Sequence, residues 1–207
     1  MTIQRQDLAQ RQDLAQRRDP AQRRDPAQRQ DSTFFQRSAW GGILTIVTVA
    51  STLAVACGTP FAALATLAAL YLPRRDAFVL IGVNWIANQA IGFGFLHYPL
   101  NWDCYRGGIN LGVAAVAGTA AAMFAHQALR KVGALTAVIG SFAAAFITYE
   151  VLLYAMSPWR CGGDFAMPVV RYILYVNAIA FAGLLILQIG AMAVGFAAPR
   201  APTAASP

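Results

Sequence analysis

Charged residues are scarce in this chain and are unevenly placed. Asp, Glu, Lys and Arg make up 12% of its 207 residues, whereas a soluble domain usually has about a quarter. Seven of the 16 basic residues and five of the nine acids fall within the first 36 positions. The rest of the chain is nearly all apolar, and the mean hydropathy of the whole is +0.49. These absences exclude an ordinary soluble domain and predict an integral membrane protein.

Several functional motifs are also missing. The chain has no Walker-type phosphate-binding motif, so we expect no ATP site and no ATP hydrolysis by this chain itself. It has three cysteines, two histidines and no C-x-x-C, which disfavours a zinc site and a paired-thiol redox centre. The net charge of +7 does not indicate nucleic-acid binding, because much of the excess lies in a tail and at loop positions that membrane topology explains.

The amino-terminal tail, residues 1–36, is a hexapeptide repeat. Units such as QRQDLA and QRRDPA run from Gln4 to Thr33 without an apolar face, and Pro20 and Pro26 would break a helix. The tail is predicted to be disordered, and it lacks the apolar core of a signal peptide. We interpret it as a repeat expansion ahead of the folded domain, with binding to a partner or to anionic lipid as the alternative. A second, short disordered tail is predicted at 199–207.

Six apolar runs follow the first tail, at roughly 39–57, 60–72, 77–96, 108–128, 134–156 and 169–196. They are too long and too uniformly apolar for barrel strands, which alternate. The predicted fold is therefore an all-α integral membrane protein in which residues 37–198 form a bundle of six transmembrane helices. The second run is short for a span of about 20 residues, so we expect it to be tilted or to cross only part of the bilayer.

Basic residues predict the orientation of the bundle. If all six runs cross the membrane, the Arg-rich tail, Arg74–Arg75, Arg130–Lys131 and Arg200 share one side. Both termini would then lie in the cytoplasm, and in a bacterium the opposite side of the inner membrane is the periplasm. Two polar loops fall on that outer side, LHYPLNWDCYRGG at 96–108 and SPWRCGGDFAMP at 157–168. Each contains Trp, Cys, Arg, Asp and a Gly pair.

Polar residues within the runs lie mostly toward the outer side. Asn84 and Asn88 share a helix face because they are four residues apart, and Glu150 is the only acid within a predicted span. These three residues indicate either an outward-facing pocket or hydrogen bonding between helices. Arg171 is expected to pair with Glu150. We expect Trp40, Tyr71 and Tyr98 to belong to the interfacial aromatic belts.

The cysteines leave two interpretations open. Cys104 and Cys161 would form a disulfide that ties the two outer loops together and leaves Cys57 free. Alternatively, Cys104 is a thiolate ligand to a transition metal that arrives inside a macrocycle, with His97 as a weaker candidate ligand.

The stretch NWIANQAIGFGFLHYPLNWDC, residues 84–104, resembles the solitary cobalamin-specific S-components of energy-coupling-factor vitamin transporters, the BtuM type. Six short helices, an outward pocket and the missing ATP motif are similar to the same family. The resemblance, which covers roughly 37–198, implies that Cys104 is an axial ligand to the cobalt of cobalamin and that the ligand cyanide of cyanocobalamin can be removed there.

The predicted function is inner-membrane uptake of cobalamin, bound from the periplasmic side. Its partners would be the vitamin, the lipid bilayer and a separate energising ATPase module, with no nucleic acid. The predicted substrate-binding residues are Cys104, Trp102, Asp103, Tyr105, Arg106, Asn84, Asn88, Glu150, Trp159 and Arg171. A periplasm-facing thiol or quinone oxidoreductase that cycles Cys104 and Cys161, or a permease for another vitamin or a metal ion, are the alternatives.

Overall fold

The computed structural model describes residues 40–47, 60–156 and 167–194. The described residues contain helices and no strands. Residues 40–47 are helical and belong to α1. The other helices are α2 (Phe61–Tyr71), α3 (Arg74–Gly94), α4 (Trp102–Leu129), α5 (Ala134–Met156) and α6 (Met167–Ala193). Both predicted tails, residues 157–166 of the second outer loop and the outer end of the first run lie outside the described residues. The last two residues of that predicted loop, Met167 and Pro168, begin α6.

Four helices, α3 to α6, are long and apolar enough to cross a membrane, which confirms the coarse prediction of a helical membrane protein. The predicted α5 matches to the residue, and the predicted α2 is one residue too long at each end. The start of α4 was predicted six residues too late. The segment from Trp102 to Gly108 was predicted as loop but forms the first turns of that helix.

The short helix α2 forms the centre of the bundle. It has 11 residues, which gives a length of about 16 Å against a hydrocarbon thickness of about 30 Å. Every residue from Phe61 to Leu70 is buried, and α3, α4, α5 and α6 all pack against it. A helix that is apolar on all sides is stable when other helices enclose it, so α2 is a core element and too short to span a bilayer by itself.

Side-chain contacts show how the long helices are directed. Trp85 and Gln89 of α3 lie against Gly112 and Gly108 of α4, respectively. A later number in α3 therefore meets an earlier number in α4, so the two helices are antiparallel.

The pair α4 and α5 is also antiparallel. Asn110 near the start of α4 donates a hydrogen bond to the carbonyl of Met156 at the end of α5, at 3.4 Å. At the other end, Leu129 of α4 lies against Gly140 of α5. The α2–α3 and α4–α5 turns thus lie at one end of the bundle, and the start of α4 lies at the other.

The last helix, α6, contacts the bundle along a narrow stripe. Its buried residues are Asn177, Leu184, Gln188 and Ala191. Asn177 Oδ1 accepts a hydrogen bond from the backbone N–H of Ala63 at 3.3 Å, which satisfies a donor in the first turn of α2 that has no partner within that helix. The side-chain amide of Asn177 therefore fixes α6 to α2. The side-chain amide of Gln188 in the same helix binds Trp40 of α1.

The α1 contact corrects one sequence prediction. The indole N–H of Trp40 donates to Gln188 Oε1 at 2.7 Å, and Trp40 is buried. The expectation of an interfacial belt residue was wrong for Trp40, because its polar N–H is satisfied by a buried amide instead of by water.

Candidate functional site

The amino-terminal end of α4 carries the densest group of predicted site residues. Asn101 caps this helix, since its side-chain oxygen accepts a hydrogen bond from the backbone N–H of Cys104 at 2.9 Å. Asp103 lies in the first turn, where the helix dipole favours an acidic side chain. These two features explain why the helix begins at Trp102 and not at the glycine pair five and six residues later.

Cys104 is a free, half-buried cysteine in that first helical turn. Cys161, its partner in the alternative disulfide, lies outside the described residues, as does Cys57. The Cys104 sulfur is therefore held on a rigid element whose start is fixed by a capping bond. Such a position suits a ligand-binding sulfur better than a mobile loop does.

Aromatic side chains surround this helix start. The Tyr105 ring stacks on Phe93 of α3, with centroids 5.0 Å apart and an angle of 27° between the planes. Tyr98 meets Phe93 edge to face at 6.2 Å. Trp102 is 71% exposed. The result is an aromatic group beside Cys104 that presents Trp102 and part of Tyr105 to the exterior.

The turn between α3 and α4, residues 95–101, is held tightly against α3. The backbone N–H of Tyr98 donates to the carbonyl of Gly92 at 3.0 Å, and a Cβ at Gly92 would lie 2.8 Å from the Tyr98 ring. His97 adopts a left-handed backbone conformation with φ 53°, which only a minority of non-glycine residues do. The chain therefore reverses direction within seven residues and brings Tyr98 back over α3.

Below this turn, α3 and α4 approach closely at a glycine. The indole N–H of Trp85 donates to the backbone carbonyl of Gly108 at 2.7 Å. A side chain at Gly108 would collide with the amide oxygen of Gln89. Gly108, predicted as part of a loop, is thus a buried contact point that positions the start of α4 on α3.

The other predicted site residues are spread through the bundle. Asn84 is buried and lies ten residues before Gly94, which corresponds to about 15 Å along the helix. Its side-chain amine donates to Thr45 Oγ1 at 3.2 Å and to the carbonyl of Leu80 at 2.9 Å. Its oxygen has no hydrogen-bond partner among the described residues. Asn84 therefore links α3 to α1, as the interhelical interpretation predicts, and does not lie beside Cys104.

The prediction that Glu150 and Arg171 form an ion pair was wrong. Arg171 is exposed in the first turns of α6, whereas Glu150 is buried in α5 and neither of its carboxylate oxygens has a hydrogen-bond partner in the described part of the chain. The two residues were expected at a similar depth in the membrane, but depth alone does not show that one side chain is buried and the other is exposed.

The remaining predicted residues have simpler outcomes. Asn88 and Arg106 are half-buried and His97 is exposed, and Trp159 lies outside the described residues. Within residues 40–47, 60–156 and 167–194, no three His, Cys, Asp or Glu side chains are grouped so that they could hold a metal ion. The prediction of a single cysteine ligand to a metal inside a macrocycle does not depend on such a group.

Sequence reasoning missed Asn101, Phe93 and Trp85 as residues that build this end of the bundle. The signal for Asn101 was present, since Asn followed two residues later by Asp is typical of a helix start. Phe93 and Trp85 are eight residues apart on one helix, which separates them by only about 80° around the helix axis, but an apolar helix gives no pattern to show which face meets α4.

Comparison with protein-family models, curated proteins and solved structures finds no match for this chain.

Proposed function

We propose that this membrane protein takes up cobalamin, and that the vitamin binds at the end of the bundle where α4 begins. The observation that carries the proposal is the free, half-buried Cys104 in the capped first turn of α4. A sulfur donor suits a soft transition metal, and a corrinoid brings its cobalt within a large flat ring. One cysteine is then sufficient, because the ring supplies the other metal ligands.

The aromatic side chains beside Cys104 support a flat, partly apolar ligand. Trp102 and Tyr105 are exposed, and the Tyr105 ring stacks on Phe93. Apolar and aromatic surface with a few placed polar groups is the usual lining of a small-molecule site. Asp103 and Arg106 on the same helix turns are the candidates to bind the amide groups at the edge of the corrin.

The membrane setting of the proposal comes from the helices. Four of them are long and apolar enough to cross a bilayer, and the basic residues Arg74, Arg75, Arg130 and Lys131 belong to the end opposite Cys104. The positive-inside rule then orients the Cys104 end outward, toward the periplasm of a bacterial inner membrane. Uptake would begin with the vitamin on that side. A separate ATPase module is one energy source compatible with this arrangement.

Retention of the vitamin by the purified protein tests the proposal. Detergent-solubilised protein is incubated with cyanocobalamin and passed over a size-exclusion column. We expect about one corrinoid to elute with each chain, and we expect the Cys104→Ser variant to retain at least tenfold less at the same concentration, since a metal–thiolate bond is lost. The matched control is Cys57→Ser, which should behave like the natural sequence. If the unaltered protein retains no corrinoid, cobalamin uptake is ruled out.

A further inference from the structure

Glu150 is an acid inside the bundle that is not part of the site proposed around Cys104. The residue is only 9% exposed, and both of its carboxylate oxygens are buried without a hydrogen-bond partner among the described residues. It lies six residues before the end of α5 at Met156, which corresponds to a depth of about 9 Å. An ionised carboxylate in such a place is costly unless it is paired, so an acid found there marks a functional position in many membrane proteins.

The surroundings of Glu150 are set by the face of α5 on which it lies. Phe142, Phe146 and Glu150 follow one another at intervals of four residues and share that face. Phe142 stacks on Phe181 of α6 with ring centroids 5.0 Å apart, and Tyr149 contacts Phe61 at the start of α2 at 6.3 Å. Glu150 therefore follows directly after a side chain that contacts the amino end of α2, and it is itself buried within the bundle.

No basic side chain on the packed helices compensates Glu150. In α2 the only titratable residue is Tyr71, at the opposite end of the helix, and α4 has none between Arg106 and His126. In α6 the titratable residues are Arg171, Tyr172 and Tyr175, and all three are exposed. On α5 itself the titratable neighbours are Tyr149 and Tyr154. Within the described part of the bundle, therefore, the negative charge of Glu150 meets no buried positive charge.

We propose that Glu150 is a proton-binding site within the bundle and that its proton couples vitamin uptake to the proton gradient. The carboxylate takes one proton from water on the outer side, and the resulting acid releases that proton to water on the inner side in each transport cycle. Coupling to transport rests on the proposed uptake function, whereas proton binding does not. A proton is a better occupant than a metal cation, because Ca²⁺ and Mg²⁺ require six or more oxygen ligands and the described residues contain no cluster of metal-ligating side chains.

Infrared spectroscopy of the purified full chain tests proton binding alone. At neutral pH we expect the absorption of a protonated carboxylic acid, which exchange into heavy water shifts and which Glu150→Gln removes. The matched control is Asp76→Asn in the first turn of α3, which should leave that absorption unchanged. The proposal is overturned if the absorption is absent, or if it persists in Glu150→Gln.

Proteoliposomes with a trapped pH indicator test the coupling. Cyanocobalamin added outside, under an inward proton gradient, should acidify the interior in step with uptake of the vitamin. Glu150→Gln should still retain cyanocobalamin on a column but acidify the interior at least tenfold more slowly, while Asp76→Asn should match the unaltered protein. Uptake without acidification overturns coupling and leaves cobalamin uptake standing. If the protein retains no corrinoid, cobalamin uptake fails together with its coupling, and the infrared result then decides whether Glu150 binds a proton.

Discussion

At the scale of single residues, the start of α4 is determined by a small number of direct contacts. Asn101 caps the helix, the indole N–H of Trp85 donates to the carbonyl of Gly108, and Gly108 lies directly against the side-chain amide of Gln89. These contacts place Cys104 on a fixed helical turn. The position of Cys104 thus depends on residues that are not themselves predicted to bind the ligand.

Gly108 and Gly107 offer a matched pair of substitutions for this claim. Gly108→Val should destabilise the protein by about 1 kcal/mol, at the low end of the cost of overpacking, because the added side chain pushes aside the flexible amide end of Gln89. Gly107→Val meets open space and has the same intrinsic effect on helix formation, so it should change stability much less. Thermal unfolding in detergent measures both variants. Equal losses of stability would contradict the close contact at Gly108.

Asn101 provides a second test at the same scale. Asn101→Ala removes the oxygen that accepts the Cys104 N–H, and loss of such a cap typically costs about 1 kcal/mol. Cobalamin retention should fall in this variant although the cysteine is intact, since the first turn of α4 becomes less ordered. Asn101→Asp, which keeps a capping oxygen, should preserve retention. Retention that is unchanged in Asn101→Ala would show that the cap does not position the site.

At the scale of the helices, the sequence predicted the elements better than their environments. The predicted limits of α5 were correct because Gly133 and the polar sequence SPWRCGGD that follows Met156 bound an unbroken apolar run. The complete burial of α2 could not be predicted, since hydropathy alone does not distinguish a surface that faces lipid from one that faces protein. The early start of α4 was missed because the glycine pair at 107–108 was interpreted as a loop. Glycine also occurs within helices where two helices pack closely, as α3 and α4 do at Gly108.

The attachment of α6 to the bundle gives a prediction at this scale. Asn177→Ala should leave the buried N–H of Ala63 without an acceptor and destabilise the protein by about 1–3 kcal/mol. Ile179→Ala is the control, since Ile179 is exposed on the same helix. Ile179→Ala should destabilise the protein less than Asn177→Ala, even though it removes a larger apolar side chain. Chemical or thermal unfolding in detergent compares the two, and a larger effect for Ile179→Ala would contradict the assigned contact.

At the scale of the whole molecule, the two ends of the bundle differ in chemistry. One end carries Arg74, Arg75, Arg130 and Lys131, and the other carries Cys104 with its aromatic neighbours. This polarity follows from antiparallel helix packing and agrees with the distribution of charge in the sequence. Sequence reasoning therefore predicted which residues share an end, but not that Asn84 and Glu150 lie within the bundle instead of beside Cys104.

The orientation of the molecule is tested by labelling with a membrane-impermeant maleimide on intact cells. In a background of Cys57→Ser and Cys161→Ser, Cys104 should be labelled from outside. With Cys104 also replaced by serine, a cysteine introduced by Lys131→Cys should be labelled only after the membrane is opened. The opposite pattern would mean that the bundle is inverted, with the Cys104 end in the cytoplasm.

The visible spectrum of bound cyanocobalamin tests the central claim most directly, because the corrin absorption bands report the axial ligands of cobalt. The unaltered protein and the Cys57→Ser and Cys161→Ser variants should all shift these bands relative to the free vitamin, and Cys104→Ser should abolish the shift. A spectrum that is the same with and without Cys104, or a protein that binds no corrinoid, would contradict cobalt ligation by Cys104.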